Sequence, residues 1–307
     1  MSSDRFPLNR ATVSRLEGCG EINRLLMKLV SPNYIRVRGQ RMEISLHDHW
    51  PQMLHGLRAW GGSLVITRNG SAVLGQTREY PELRFSHDDI HARSPEDTFD
   101  IDFPPWHSAR MVIEERDDSF AYFAEFLDAR GEVLHKVCTT TASDMEQMVV
   151  WTEFHQGFSR PADAPMAALA HRWRRVQQRH WFGIEEADEV QENALSLLLL
   201  EARKRRFPIR LMAGNEGVVQ AAIMTPQRLA PSNGWMFASD DTTGLHYDPE
   251  TFESVVVHHL PELQDHPPVS VLKCFDDRGE LCLAVAPPEP ERLGEWNSLL
   301  NAAVCPR

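Results

Sequence analysis

Cysteine is scarce and scattered. Cys19, Cys138, Cys274, Cys282 and Cys305 are five in number and nowhere form a C-x-x-C pair. That argues against a disulfide framework and against structural zinc, and a reducing cytoplasm is the expected compartment. Basic charge is also short. Thirty-two Lys and Arg stand against 44 Asp and Glu, a net charge of −12, so the basic footprint of a nucleic-acid binder is missing. Local basic runs exist, notably Arg203 to Arg206, which follows an apolar helical stretch, where the helix dipole favours cations at the C-terminus. No apolar run approaches the roughly 18 residues that cross a bilayer. The first residues lack the apolar stretch of a secretory signal. Neither nucleic-acid binding nor membrane insertion is expected. There is no G-x-S-x-G, P-loop or dinucleotide fingerprint.

What is there is a duplication. The 307 residues, 42% hydrophobic and 25% charged, suit one large domain or two of about 150 residues. Leu127-Asp-Ala-Arg-Gly-Glu-Val133 matches Phe275-Asp-Asp-Arg-Gly-Glu-Leu281, 148 positions further on. Arg68-Asn-Gly-Ser-Ala-Val73 parallels Gly214-Asn-Glu-Gly-Val-Val219 at an offset of 146, and Trp151 with Trp296 adds a weaker pair at 145. Matches in the same order with little drift divide the chain into residues 1–160, with an N-terminal helical extension, and residues 161–307. The segment 160–165, with two prolines, is the expected linker.

Each half reads helix, then strands, then a short helix. Apolar residues at Trp50, Met53, Leu54, Leu57 and Trp60 have helical spacing, stopped by Gly61-Gly62. Residues 64–74 read as a hairpin across Asn69-Gly70, and 111–113 with 120–127 as a strand pair. The turn at Asp128 to Gly131 leads into a strand over 132–138. Residues 143–154 close the half as a helix capped by Ser143 or Asp144. In the second half, 173–182 and 189–206 read as helices. Strands follow at 209–213, 218–223, 253–259, 270–275 and 281–286. Residues 11–26 read as a short interrupted helix. Adjacent strands joined by tight turns predict an α+β protein of two tandem repeats, each an antiparallel sheet with flanking helices.

The stretch Trp173-Arg-Arg-Val-Gln-Gln-Arg-His180-Trp181-Phe182 opens the second half. A histidine among bulky apolar side chains can offer a neutral ring nitrogen to a buried metal such as haem iron. With it go Val65-Ile-Thr-Arg-Asn69, Phe126 to Val137, Ala213 to Gln220, Gly234-Trp235, Gly244-Leu-His246 and Phe275-Asp276. Together, over about residues 45 to 300, these resemble the HemS/ChuX family of bacterial haem-utilisation proteins, in its two-repeat, hemin-degrading form. The resemblance implies a haem cofactor in a cleft involving the second half. His180 would be the axial iron ligand, with Phe182, Met212, Gln220 and Asp100 as further cofactor-binding positions. It implies haem as the binding partner, and a haem importer or a haem oxygenase as protein partners.

The sequence departs from that pattern in its charges. Where the family places an arginine on a first-half strand, near the distal face of the haem, residues 98–103 read Thr-Phe-Asp-Ile-Asp-Phe, so Asp100 or Asp102 takes its place. The basic run after the last strand reads Val285-Ala-Pro-Pro-Glu289, and the lysine before the Ser-x-x-x-Phe-Asp strand is missing. His258, His259 and Arg278 are the nearest cationic substitutes. Three readings stay open: a haem carrier, a weakly active haem-degrading enzyme, and a diverged paralogue that has lost haem and binds a partner. The catalytic residues are not identifiable. Among other histidines, His135 fits strand alternation, His246 a hairpin edge, and His47, His49 and His55 the solvent. Asp117-Asp118 and Asp276-Asp277 read as turn residues.

Overall fold

A computed structural model describes residues 22, 26, 29–31, 33, 35–38, 40–86, 91–95, 98–116, 119–158, 187–260 and 268–304. The strands, in chain order, are β1 (Ile35–Arg38), β2 (Arg41–Leu46), β3 (Gly61–Arg68), β4 (Ala72–Glu79), β5 (Arg84–Phe85), β6 (His91–Arg93), β7 (Phe99–Asp102), β8 (Ser108–Arg116), β9 (Ser119–Leu127) and β10 (Val133–Ser143). They continue with β11 (Ala187–Glu189), β12 (Ile209–Gly214), β13 (Val218–Met224), β14 (Arg228–Ser232), β15 (Trp235–Ser239), β16 (Thr243–Tyr247), β17 (Ser254–Leu260), β18 (Val269–Phe275) and β19 (Leu281–Ala286). The helices are α1 (Trp50–Gly56), α2 (Met145–His155), α3 (Ala194–Arg205) and α4 (Leu293–Val304). Every pairing whose register is described is antiparallel, which fits the predicted α+β class.

Two compact units emerge, and they interleave along the chain. The first takes Met1–Val65, Thr77–Pro95 and Phe103–Ala164; the second takes Ile66–Gln76, Glu96–Asp102 and Pro165–Arg307. In the first unit the strand order is β1-β2-β8-β9-β10-β3. The predicted helix over residues 50–60 is α1 followed by a 3-10 turn at Leu57–Trp60, ended by Gly61 at φ 70°. Its partner α2 is capped by Asp144, whose carboxylate accepts from the amides of Glu146 and Gln147. Trp151 on α2 donates to the Met53 carbonyl at 3.0 Å and meets Trp60 edge-on.

In the second unit the main sheet runs β11-β17-β18-β19-β12-β13-β7. α3 and α4 cover one of its faces. Leu195, Leu198, Leu199, Trp296, Leu299 and Leu300 share a buried cluster with Leu211, Ala222, Leu272, Leu283 and Val285 of the strands. The predicted helix over 189–206 starts only at Ala194, because Ala187–Glu189 is an exposed edge strand paired with β17. Strands β14 to β16, which the sequence pattern does not reveal, extend a second row in the order β4-β16-β15-β14.

The duplication is visible bond by bond. Asp128 accepts from the amides of Arg130 and Glu132, and Asp276 from those of Arg278 and Glu280. Gly131 and Gly279 both sit at positive φ, where a side chain would be strained. The two strand–turn–strand motifs thus occupy matching places in the topology, as the paired offsets predict. At the other offset, Asn69 accepts from Ser71 and Ala72, and Asn215 from Gly217 and Val218. The Asn69-Gly70 turn is held by this side chain; Gly70 is not among the glycines at positive φ, so the expected two-residue primed turn does not form. The two asparagines also bond reciprocally: Asn69 donates to Gly214 and Asn215 donates to Arg68, each at 2.8 Å. Ala72 pairs opposite Tyr247 on β16, and Val218 opposite Ile101 on β7, in equivalent registers. Each repeat therefore lends the second unit a strand that pairs with the other repeat.

Candidate functional site

Strands β12, β13, β18 and β19 are buried on both faces. The face turned away from α3 and α4 carries Met212, Ala221, Val271, Ala284 and Ala286, a small apolar cluster separate from the main core. Side chains directly opposite one another in an antiparallel pair share a face. Register therefore assigns the rest. Met212 is opposite Ala221 and Ala284, Ala284 is opposite Lys273, and Lys273 is opposite Val256. On the far side Asp100 is opposite Val219, two residues from Ala221 on β13. Asp102 lies two residues from Asp100, so both candidate aspartates project from this same face.

The structure thus brings Asp100 and Met212 onto one face, and it places Gln220 on the other. Gln220 alternates with Ala222 and Met224, which pack into the helix-covered core, and it is fully buried there. His180 and Phe182 lie outside the described residues, as do the predicted helix over 173–182 and most of that over 11–26. His258, opposite Val271, joins the face; His259 alternates away from it and meets Asp188 at 3.2 Å. Arg278 sits in the Asp276 turn.

Lys273 is a residue of this face that sequence reasoning missed. It is fully buried, and burial pushes its ammonium down to about 7. Its signal is present in the repeat alignment: Lys273 stands three before Asp276 as Glu125 stands three before Asp128. The first unit fills the equivalent face with an ion-pair network. Glu125 meets Arg41 at 2.7 Å, Arg110 at 2.8 Å and Lys136 at 3.3 Å. Glu43 meets Arg41 and Arg110 as well. Burial opposes ionisation of Glu125, but the charges of Lys136, Arg110 and Arg41 outweigh it and hold the carboxyl below its usual range. Lys136 also sits 3.3 Å from the centre of the Phe123 ring. This face carries an ion-pair network of two carboxylates and three cations; its counterpart in the second unit is lined mainly by apolar side chains, with Lys273, Asp100 and His258 set among them.

Three histidine readings change or sharpen. His47 is half-buried rather than solvent-facing: its Nδ1 accepts from the His49 amide at 3.1 Å, so its proton lies on Nε2 and is donated to Nδ1 of His155 at 3.0 Å. Burial and the neighbouring His47 and His49 push His155 down to about 4. His49 and His55 are exposed. His246 is no hairpin edge, because β16 is paired on both sides. His135 is a core residue, as its strand alternation implies. It is fully buried, meets the Tyr80 hydroxyl at 3.1 Å, and is pushed by burial down to about 3. Among the described residues no cluster of three or more His, Cys, Asp or Glu could hold a metal ion, and no helix is long and apolar enough to cross a membrane.

Comparison with known proteins gives a consistent picture. A family model described as the haemin-degrading HemS.ChuX domain matches twice, over residues 31–158 and 172–303. The hemin transport protein HemS of Yersinia enterocolitica is 25% identical over 230 residues, covering 63% of this chain and 66% of that protein. The hemin transport protein HmuS of Yersinia pestis is 24% identical with the same coverage. The aligned stretch is thus just under two thirds of either relative's length. Among solved structures, holo-PhuS, a heme-binding protein from Pseudomonas aeruginosa, superimposes with a TM-score of 0.73 at 19% identity, covering 95% of this chain and 97% of that one. ChuS, an E. coli heme oxygenase, gives 0.70 at 18% identity, covering 86% and 89%. At such identities these two likenesses bear on the fold alone.

Proposed function

Because the chain belongs to the family of haemin-degrading HemS/ChuX domains, we propose that it binds one haem on the apolar sheet face of the second unit, with His180 as the axial ligand. The observation that carries this reading is the juxtaposition of Met212 and Asp100 on a face of small apolar side chains, Ala221, Ala284 and Ala286. A sheet face lined by small alanine side chains leaves room for a planar macrocycle, and burying apolar area supplies most of the affinity of such a site. Haem, when bound, supplies a redox-active iron; the chain supplies the apolar wall, a neutral imidazole and exclusion of water.

The role proposed is that of a cytoplasmic carrier in haem use, receiving haem from an importer and delivering it to an oxygenase. Asp100 favours carriage over breakdown. An ionised carboxylate accepts hydrogen bonds and donates none, so it cannot replace an arginine as a donor to developing negative charge. Haem loss in ascorbate with catalase is expected to be roughly 30- to 1,000-fold slower than in arginine-bearing relatives. Steady conversion to an open-ring pigment would contradict the carrier reading.

Titration with hemin tests binding itself. A sharpened Soret band should saturate near one equivalent, and His180→Ala should shift or abolish it. An unchanged spectrum in the variant removes His180 as ligand. No Soret change in the wild type would favour a paralogue that binds a partner in place of haem.

A further inference from the structure

Three neighbouring strands of the second unit each contribute one polar side chain to a single row, and we propose that this row is a nucleophilic site for activated esters. Ser270 is the nucleophile, His259 its general base, and Asp188 the residue that positions the base. Ser270 on β18 is directly opposite His259 on β17. Asp188 on β11 is opposite Val257, two residues before His259, so all three leave the sheet on the same side. The Ser270 hydroxyl lies 2.9 Å from His259 Nδ1, and Asp188 Oδ2 lies 3.2 Å from His259 Nε2. An ionised carboxylate only accepts, so the neutral ring carries its proton on Nε2 and leaves Nδ1 to accept from the Ser270 hydroxyl. Hydroxyl, base and orienting acid then stand in the order that activates a weak nucleophile.

The row is held by rigid elements and open to a ligand. Trp296 of α4 donates its indole N–H to the Ser270 carbonyl at 2.7 Å, which fixes the backbone that carries the hydroxyl. β11 is the edge of the sheet; Asp188 and His259 are exposed and Ser270 is half-buried. The repeat does not require these residues. At the equivalent place, 148 positions earlier, Tyr122 stands for Ser270 and is opposite Ile113. An open edge suits a substrate with a good leaving group, which asks for less stabilisation of a developing oxyanion than an amide does. Ser270 Oγ attacks the carbonyl carbon, and its proton passes to His259 Nδ1. The bond to the leaving oxygen breaks, and that oxygen takes the proton from Nδ1. Water then attacks the acyl-serine and gives a proton to Nδ1, which returns it to Ser270 Oγ as the free acid departs. His259 and Ser270 project from the side opposite Met212, so this activity stands apart from the haem reading.

The test treats the full chain with a fluorophosphonate, whose fluoride an activated serine displaces, and locates the adduct by peptide mass spectrometry. The adduct should sit on Ser270, and heat-denatured protein should carry none. Hydrolysis of p-nitrophenyl acetate should fall to the buffer rate in Ser270→Ala. His259→Gln should lower kcat roughly 100-fold or more with KM little changed. Asp188→Asn should lower it only roughly 5-fold, since an exposed ion pair is weak, and Asp188→Glu should keep most of the rate. Folded wild type with no adduct on Ser270 overturns the inference. So does labelling of Ser270 that persists undiminished in His259→Gln, or ester hydrolysis that is unchanged in Ser270→Ala. Should a variant fail to fold, the site of the adduct in folded against denatured wild type decides alone.

Discussion

Burial sets the charge of His135 and His155, and each therefore links stability to pH. The unfolded imidazole titrates near 6.5, whereas burial pushes His135 to about 3 and His155 to about 4. A depressed folded pKa means stability that is complete above pH 6.5 and lost as the pH falls through the folded value. Glu125 acts in the same direction at lower pH, since its folded carboxyl also titrates below its unfolded range. Thermal melts should thus fall progressively from pH 7 to 4, and His155→Gln should lose less of its stability over that window, by about 2 kcal/mol. A variant with the wild-type slope would show that His155 does not titrate with unfolding. Glu125→Gln should cost about 1 to 3 kcal/mol at pH 7, because it removes the carboxylate shared by Arg41, Arg110 and Lys136 and leaves only Glu43 to answer the two arginines. Urea unfolding measures it, and no loss would mean the network is solvated in effect.

Among the elements, those with a strong period or a strong turn are legible in the sequence. The helices around Trp50 and Trp151 are marked by apolar spacing and an Asp cap, and the Asp128 and Asp276 turns by their repetition. What escapes are edges. β14 holds Pro231 and is largely exposed, and β11 is three exposed residues, two of them acidic. Proline and charge keep edge strands from pairing onward, and they also erase the alternation that identifies a strand. The site is legible in part. Met212 and Asp100 share a face, but a slip of one position in a strand reverses the face, and that parity separates Gln220 from them. Asn69 offers a test at this scale. Its side chain accepts from two amides and donates to Gly214 and Cys282, while Asn215 donates to Arg68. Asn69→Ala should therefore cost about 2 kcal/mol and more than Asn215→Ala in urea unfolding; the reverse order would contradict the reciprocal lock.

For the molecule as a whole, the consequence of duplication is that the second unit cannot be cut out as a contiguous half. It contains Ile66–Gln76 and Glu96–Asp102, so residues 161–307 expressed alone lack the strand partners of β13 and β16. Such a fragment should show no cooperative urea transition as a monomer. The two repeats differ in what lies on equivalent faces: an ion-pair network in one, alanines, Met212 and Lys273 in the other. The central claim is that haem occupies the second of these. The most direct measurement is a methyl NMR spectrum of alanine- and methionine-labelled protein with and without one equivalent of hemin, whose paramagnetic iron broadens nearby signals. The methyls of Met212, Ala221, Ala284 and Ala286 should be lost or shifted, and those of Ala194 and Ala202, in the core on the opposite, helix-covered face of the same sheet, should be less affected. Undisturbed Met212 and Ala284 signals in a sample whose Soret band shows bound haem would place the ligand elsewhere and contradict the account.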